Sequence, residues 1–213
     1  MTSLSPVAVL SDLDGVLVDS GDSIEVTWST WARGHGIDPE VLRGRIHGRP
    51  AGAVIREVAP HLDADAEAAA VSQMDIDGPP AKLLPGAMEL LRGGAGVPVA
   101  VVTSCPDALA HVRLTAVDLP VPEVLVTSDR VSVGKPDPEG YRLAASELGV
   151  DVGGCVVFED APAGVAAGVA AGAVVVGILT THAADELVAA GAIEVAATVA
   201  DALALFTAAD RAE

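Results

Sequence analysis

Residues 7–20, VAVLSDLDGVLVDS, constrain this chain more than any other stretch. A run of mostly apolar residues leads directly into Asp12 and Asp14, and Gly15 then frees the backbone to turn, so a buried strand ends in two carboxylates. Charge in such a place is costly. Residues i and i+2 of an extended segment share a face, so both carboxylates can converge on one ligand, with a mutual repulsion that a cation would relieve. Two readings stand open on these residues alone: a metal-assisted phosphoryl-transfer site, or an Asp-rich strand-to-loop turn.

The chain beyond this stretch falls into two patterns. Helical periodicity predicts a helix over 22–34, with Ile24, Trp28 and Trp31 as its apolar stripe, a second helix starting at Pro39, a third over 51–58 after the HGRP break at 47–50, and a fourth over 64–75. The Gly-Pro-Pro segment at 78–80 closes this helical insertion. From Leu84 helices alternate with apolar strands: helix 86–92, strand 97–102, helix 107–116, strand 124–127, helix 138–148, strand 155–158, helix 163–171, strand 174–179 and a last helix over 201–209. Continuous apolar strands separated by helices imply a doubly wound, Rossmann-like parallel sheet covered on both faces. The expected organisation is therefore an α/β core, residues 1–16 and 81–213, with an all-helical domain inserted at 17–80.

Polar residues gather where these strands end. Asp12 and Asp14 end the first, Thr103 and Ser104 the second, Ser128 and Asp129 the third, Glu159 and Asp160 the fourth. Ligands of an open parallel sheet bind outside the carboxyl ends of its strands, so these groups would share one crevice. Taken singly each has a plainer reading: Thr103 and Ser104 as helix caps, Glu159 and Asp160 as an acidic helix start, Lys135 as a solvated lysine in the Pro-rich turn VGKPDP.

Composition narrows the partners. A formal net charge of −18 over 213 residues argues against a nucleic-acid or anionic-membrane partner. Cys105 and Cys155 lack metal-ligand spacing, and a reducing cytoplasm fits them best. The N-terminus carries neither the basic region nor the apolar length of a signal peptide. Residues 161–184 hold no charged residue, with Gly164, Gly168 and Gly172 at every fourth position. The change to the β-branched run at 174–178 identifies this as a tightly packed helix followed by a buried strand, not a membrane span.

In that order, DLDGVLVDS, VVTS, KPDP and FEDAPAGVAAG resemble the four motifs of the haloacid dehalogenase (HAD) superfamily of phosphohydrolases. The resemblance spans nearly the whole chain, and the position of the insertion is similar to the branch with a small helical cap after the first strand. Residues 25–35 and the HGRP turn look most similar to phosphatases of sugar and polyol phosphates. Ser11 departs from the pattern, where the family often has Phe.

The resemblance implies a role for each group. Asp12 would be the nucleophile that forms an aspartyl phosphate, and Asp14 the acid that protonates the leaving oxygen and the base for the attacking water. Mg²⁺ would bridge Asp12, the Asp14 carbonyl and Asp160, with Glu159 acting through a water. Lys135, Thr103 and the Ser104 amide would balance phosphoryl charge. Glu25, His47 and Arg49 are the expected insertion contacts to a small phosphorylated metabolite, although HGRP as a plain turn and Glu25 as a solvated residue remain open. A monomer or weak homodimer is expected. The rivals are a phosphosugar mutase of the same fold, whose cap histidine would align with Ile24, a dehalogenase, which needs no metal site, and a non-catalytic phosphate-binding or signalling module, which would not need a proton-transfer carboxyl at Asp14.

Overall fold

The structure is a computed structural model that describes residues 4–206. Its first strand, β1 (Ala8–Ser11), lies in the middle of the main sheet. It pairs in parallel with β4 (Val99–Val102) on one side and β6 (Cys155–Glu159) on the other. With β5 (Val124–Val126), β7 (Val174–Ile178) and β8 (Glu194–Ala196) the order is β5-β4-β1-β6-β7-β8, all parallel. Strand alternation divides the burial: Val9 joins one apolar cluster, while Ala8 and Leu10 join the cluster on the opposite face. Both faces are thus dry, which is why these strands read as unbroken apolar runs.

Helices α5 (Asp107–Thr115), α6 (Glu139–Glu147), α7 (Pro162–Ala171), α8 (Ala184–Ala190) and α9 (Val199–Leu203) connect or follow the strands. The charge-free stretch is α7 ended by Gly172 and followed by β7, as its composition implies. Among the described residues no helix is long and apolar enough to cross a membrane. The last predicted helix is real over Val199–Leu203; its expected residues 207–209 lie outside the described residues. Both α8 and β8 escaped the sequence reading, being short and weakly periodic.

Between β1 and β4 the chain forms α1 (Gly21–Gly34), α2 (Ala51–Val58) and α3 (Ala64–Ile76). Trp28, Trp31, Val54, Ile55 and Val71 build a core of their own, separate from the two sheet faces. Trp28 and Trp31 meet edge to face, 5.5 Å between centroids, and Trp31 Nε1 donates to Glu67 at 2.8 Å. The ring pair accounts for the helical stripe as packing. The helix predicted from Pro39 is only a 3₁₀ turn, Pro39–Leu42, started by the Asp38 carboxylate on the Glu40 amide. Two short strands, β2 (Val18–Asp19) and β3 (Lys82–Leu83), pair antiparallel where the chain leaves and re-enters the sheet domain. Helix α4 (Ala87–Glu89) runs into a π turn at Leu90–Gly94, where the predicted 86–92 helix loosens.

Candidate active site

The carboxyl ends of β1, β4 and β6 bring Asp12, Thr103, Glu159 and Asp160 together. Register brings this about, because Ser11 pairs with both Val101 and Phe158, so Asp12 leaves β1 level with Val102 and Glu159, the last residues of β4 and β6, and Thr103 and Asp160 follow directly. Asp12 is tied to β6 by its amide, which donates to the Phe158 carbonyl at 2.9 Å. Ser11, the departure from the family pattern, is fully buried and donates its hydroxyl to the Asp12 carbonyl at 2.7 Å.

Lys135 reaches in from the loop before α6. Its Nζ lies 2.8 Å from Asp12 Oδ1, 2.6 Å from Glu159 Oε1 and 3.0 Å from the Val102 carbonyl. The plainer reading of a solvated lysine is thus excluded: Lys135 is buried, and the two carboxylates hold its pKa above the usual lysine value against the opposing effect of burial. Glu159 is wholly buried, its Oε1 also accepting from Tyr141 Oη at 2.6 Å and its Oε2 from the Asp160 amide at 3.2 Å. The start of α7 passes so close that a Cβ on Gly164 would overlap this carboxylate. Only glycine fits there.

Charge does not balance in this cluster. Asp12, Glu159 and Asp160 offer oxygens that all lie within 4.8 Å of one another, against one ammonium. Burial, with the Glu159 charge adding to it, lifts the Asp12 pKa to about 7 in spite of Lys135. Burial and the charges of Asp12 and Glu159 also raise Asp160 well above the carboxylate range, although Thr181 donates to its Oδ2. The second oxygen, Asp160 Oδ1, is buried without a hydrogen-bond partner. Beside it, Gly15 adopts a left-handed φ of +80°, and a Cβ there would overlap the Asp160 carboxylate. An orphaned oxygen, excess negative charge and all-oxygen donors fit a hard divalent cation.

Asp14 stands at the edge of this cluster. Its pKa is raised by burial, against the pull of Arg113 and a hydrogen bond from Ser20. Arg113, in α5, places Nε 3.0 Å from Asp14 Oδ1 and its outer nitrogen 2.6 Å from Asp75 Oδ2 in α3. Thr103 is buried, and its hydroxyl accepts from the Cys105 amide at 3.2 Å. Thr103 does not cap α5; Asp129 does, accepting from the Asp107 amide at 2.8 Å.

A cavity of about 1500 Å³ opens between these strand ends and the helical insertion, lined by Asp12, Asp14 and Lys135 below and by Glu25, His47 and Arg49 above. The HGRP turn is more than a break in the chain. The Gly48 carbonyl accepts from Ser104 Oγ at 3.1 Å, Pro50 packs on Gly134, and the His47 ring faces His182 at 6.2 Å. Burial and the facing His182 lower the His47 pKa, with Asp14 and Glu25 acting in the opposite sense. Arg49 pairs with Glu57 at 2.9 Å, and Glu25 is exposed.

Four residues of this site were missed from the sequence. Tyr141 and Arg113 sit inside helices, where an aromatic reads as core and a basic residue in the last turn reads as a dipole partner. Asp75 resembles any polar helix residue. Thr181, in the loop after β7, carried no signal beyond its place at a strand end.

A model of the family described as "Hydrolase: haloacid dehalogenase-like hydrolase" matches residues 7–172. Hexitol phosphatase A of Escherichia coli is 44% identical over 79% of this chain and 81% of its own length. Validoxylamine A 7'-phosphate phosphatase of Streptomyces hygroscopicus is 43% identical over 84% and 88%. Among solved structures, a hydrolase from Pseudomonas syringae superposes with a TM-score of 0.81 at 27% identity, covering 94% of this chain and 97% of that one.

Proposed function

This chain belongs to the haloacid dehalogenase-like hydrolases, and from that premise we propose that it is a Mg²⁺-dependent phosphatase of small sugar or polyol phosphates, working through an aspartyl phosphate. One observation carries the reading: Asp12 is held by Lys135 at the floor of the cavity, beside a buried Asp160 oxygen with no protein partner. The substrate class is supported by relatives that act on sugar-like phosphates.

Asp12 attacks phosphorus, and the ester oxygen leaves with a proton from Asp14. Asp14, once ionised, takes a proton from the water that cleaves the aspartyl phosphate. These two tasks need neighbouring carboxyls in opposite protonation states. Lys135 neutralises Asp12 and the phosphoryl oxygens, while Thr103 and the Ser104 amide donate to those oxygens. Glu159 fixes Lys135 and would help to hold the cation. Mg²⁺, held by Asp12, the Asp14 carbonyl and Asp160, would supply charge stabilisation of the phosphoryl group. Residues 17–80 form the cap, closing over a core of 1–16 and 81–213, and Glu25, His47 and Arg49 contact the hydroxyl-bearing leaving group. Two free thiols, Cys105 and Cys155, suit a cytoplasmic enzyme.

The test is phosphate release from a panel of sugar, polyol and nucleotide monophosphates, with Mg²⁺ and with chelator. Release that is confined to sugar and polyol phosphates, lost with chelator and absent in Asp12→Ala supports the reading. Activity that survives either treatment sinks the mechanism, and transfer to a second hydroxyl without free phosphate would favour the mutase.

A further inference from the structure

Arg113 occupies a place where a guanidinium is costly. Its side chain is 3% exposed, on the face of α5 that also buries Leu109, Ala110 and Leu114. Taking such a group out of water costs several kcal/mol unless charged partners offset it, so its partners indicate its role. They lie in different parts of the molecule: Asp75 in α3 of the insertion and Asp14 at the reaction centre. Asp75 is itself buried and accepts from Ser23 Oγ of α1 through its other oxygen. One polar chain, Asp14–Arg113–Asp75–Ser23, therefore runs from the strand ends into two helices of the insertion.

Its links are unequal. Arg113 to Asp75 is a directed hydrogen bond of 2.6 Å, whereas Arg113 Nε and Asp14 Oδ1, 3.0 Å apart, are both buried without an aligned hydrogen bond. The guanidinium is anchored on the insertion side and holds Asp14 by charge alone. Ser20 supplies a hydrogen bond to Asp14 from within the core, whereas the charge Arg113 contributes has no directed bond to it, so the position of that charge depends on how α3 sits against α5.

We infer that Arg113 is a positioning residue: anchored by Asp75, it orients the Asp14 carboxyl for proton transfer, so that seating of the insertion on the core becomes a condition for acid catalysis. The inference rests on the phosphatase reading above, in which Asp14 is the acid.

The test compares Arg113→Gln, Asp75→Asn and their combination with the wild type on two substrates. A sugar or polyol phosphate releases an alkoxide that needs a proton, whereas p-nitrophenyl phosphate releases a phenolate that does not. In Arg113→Gln, kcat/KM for the alkyl phosphate should fall about 10²-fold, the usual worth of a positioned acid. For p-nitrophenyl phosphate it should fall by less than about fivefold. Arg113→Lys should restore part of the alkyl activity, and the double variant should be no worse than Arg113→Gln, since both break one chain. Equal losses on both substrates, or additive losses in the double variant, overturn the positioning role. Hydrogen exchange gives a readout without turnover: in Arg113→Gln, protection over 64–76 should fall while that of 155–159 is unchanged. Unaltered protection over 64–76 overturns the link to the insertion. A wild type inactive on both substrates with Mg²⁺ removes the phosphatase premise and the acid role with it, a failure that the exchange result separates from failure of the link.

Discussion

On the core wall of the cavity Asp12, Glu159, Asp160 and Lys135 are buried together. On the insertion wall, Asp75 apart, the charged groups are at least partly exposed, and the arginines near the HGRP turn are already paired, Arg49 and Arg45 with Glu57 and Arg43 with Glu40. The first arrangement keeps an electrostatic cost that the fold does not relieve, shown by carboxyls whose pKa values burial pushes upward. The second has relieved its cost locally, at the price of a less fixed geometry. A wall of the first kind suits bond making, where charge must be in place before the substrate arrives. A wall of the second kind suits recognition, where pairs can be exchanged for contacts with a ligand.

The largest effect should come from the core. Asp12→Asn should lower kcat about 10⁴-fold, roughly 5 kcal/mol of barrier, in a phosphate-release assay; a loss below about tenfold would remove the nucleophilic role. Next in size is the cation. At about a hundred times its dissociation constant Mg²⁺ should stabilise the fold by about 2.7 kcal/mol, and the increment should depend on pH. Asp12 rises from 3.8 to about 7 in the folded state, so the native protein binds more protons than the unfolded chain in that interval. This group's stabilising contribution is therefore fully present below pH 3.8 and is lost as pH rises through about 7. The Tm gap between Mg²⁺-loaded and chelated protein should widen from pH 5 to pH 8, and equal gaps would refute the account of the core wall.

Effects on the insertion wall should be smaller and of another kind. Arg49→Ala should raise KM for the best sugar phosphate about tenfold with little change in kcat, as loss of a charged ground-state contact does. A fall in kcat with KM unchanged would instead move Arg49 into the chemistry and blur the distinction between the walls. Smallest is Trp31→Phe, which removes the indole donor to Glu67 and should cost about 1 kcal/mol in urea denaturation followed by circular dichroism.

Legibility in the sequence follows the same division. The parallel sheet, its opening strand and the groups at its ends could be read because an apolar run that stops in a carboxylate is a local signal, and topology places the strand ends together. Lys135 was readable only through its motif, since nothing local distinguishes it from a solvated lysine. Arg113 and Tyr141 were not readable: each sits in a helix whose periodicity explains it adequately, and its partner is fixed by a packing contact between distant segments. The strands β2 and β3, two residues each, were too short to have a period. The insertion contacts rest on the resemblance of residues 25–35 and the HGRP turn alone, and the pairing of Arg49 with Glu57 across that turn has no counterpart in any spacing rule.

The edge-to-face pair in α1 has an optical consequence. Trp28 and Trp31 are the chain's two tryptophans, so its entire indole emission arises from the insertion, and Trp28 also lines the cavity. The sheet domain, whose buried aromatic rings are Tyr141 of α6, Phe158 of β6 and Phe206, is silent at red-edge excitation. A stopped-flow trace of that emission would report any rearrangement of the insertion by itself, and a phosphate sensor in the same mixture would time phosphate release.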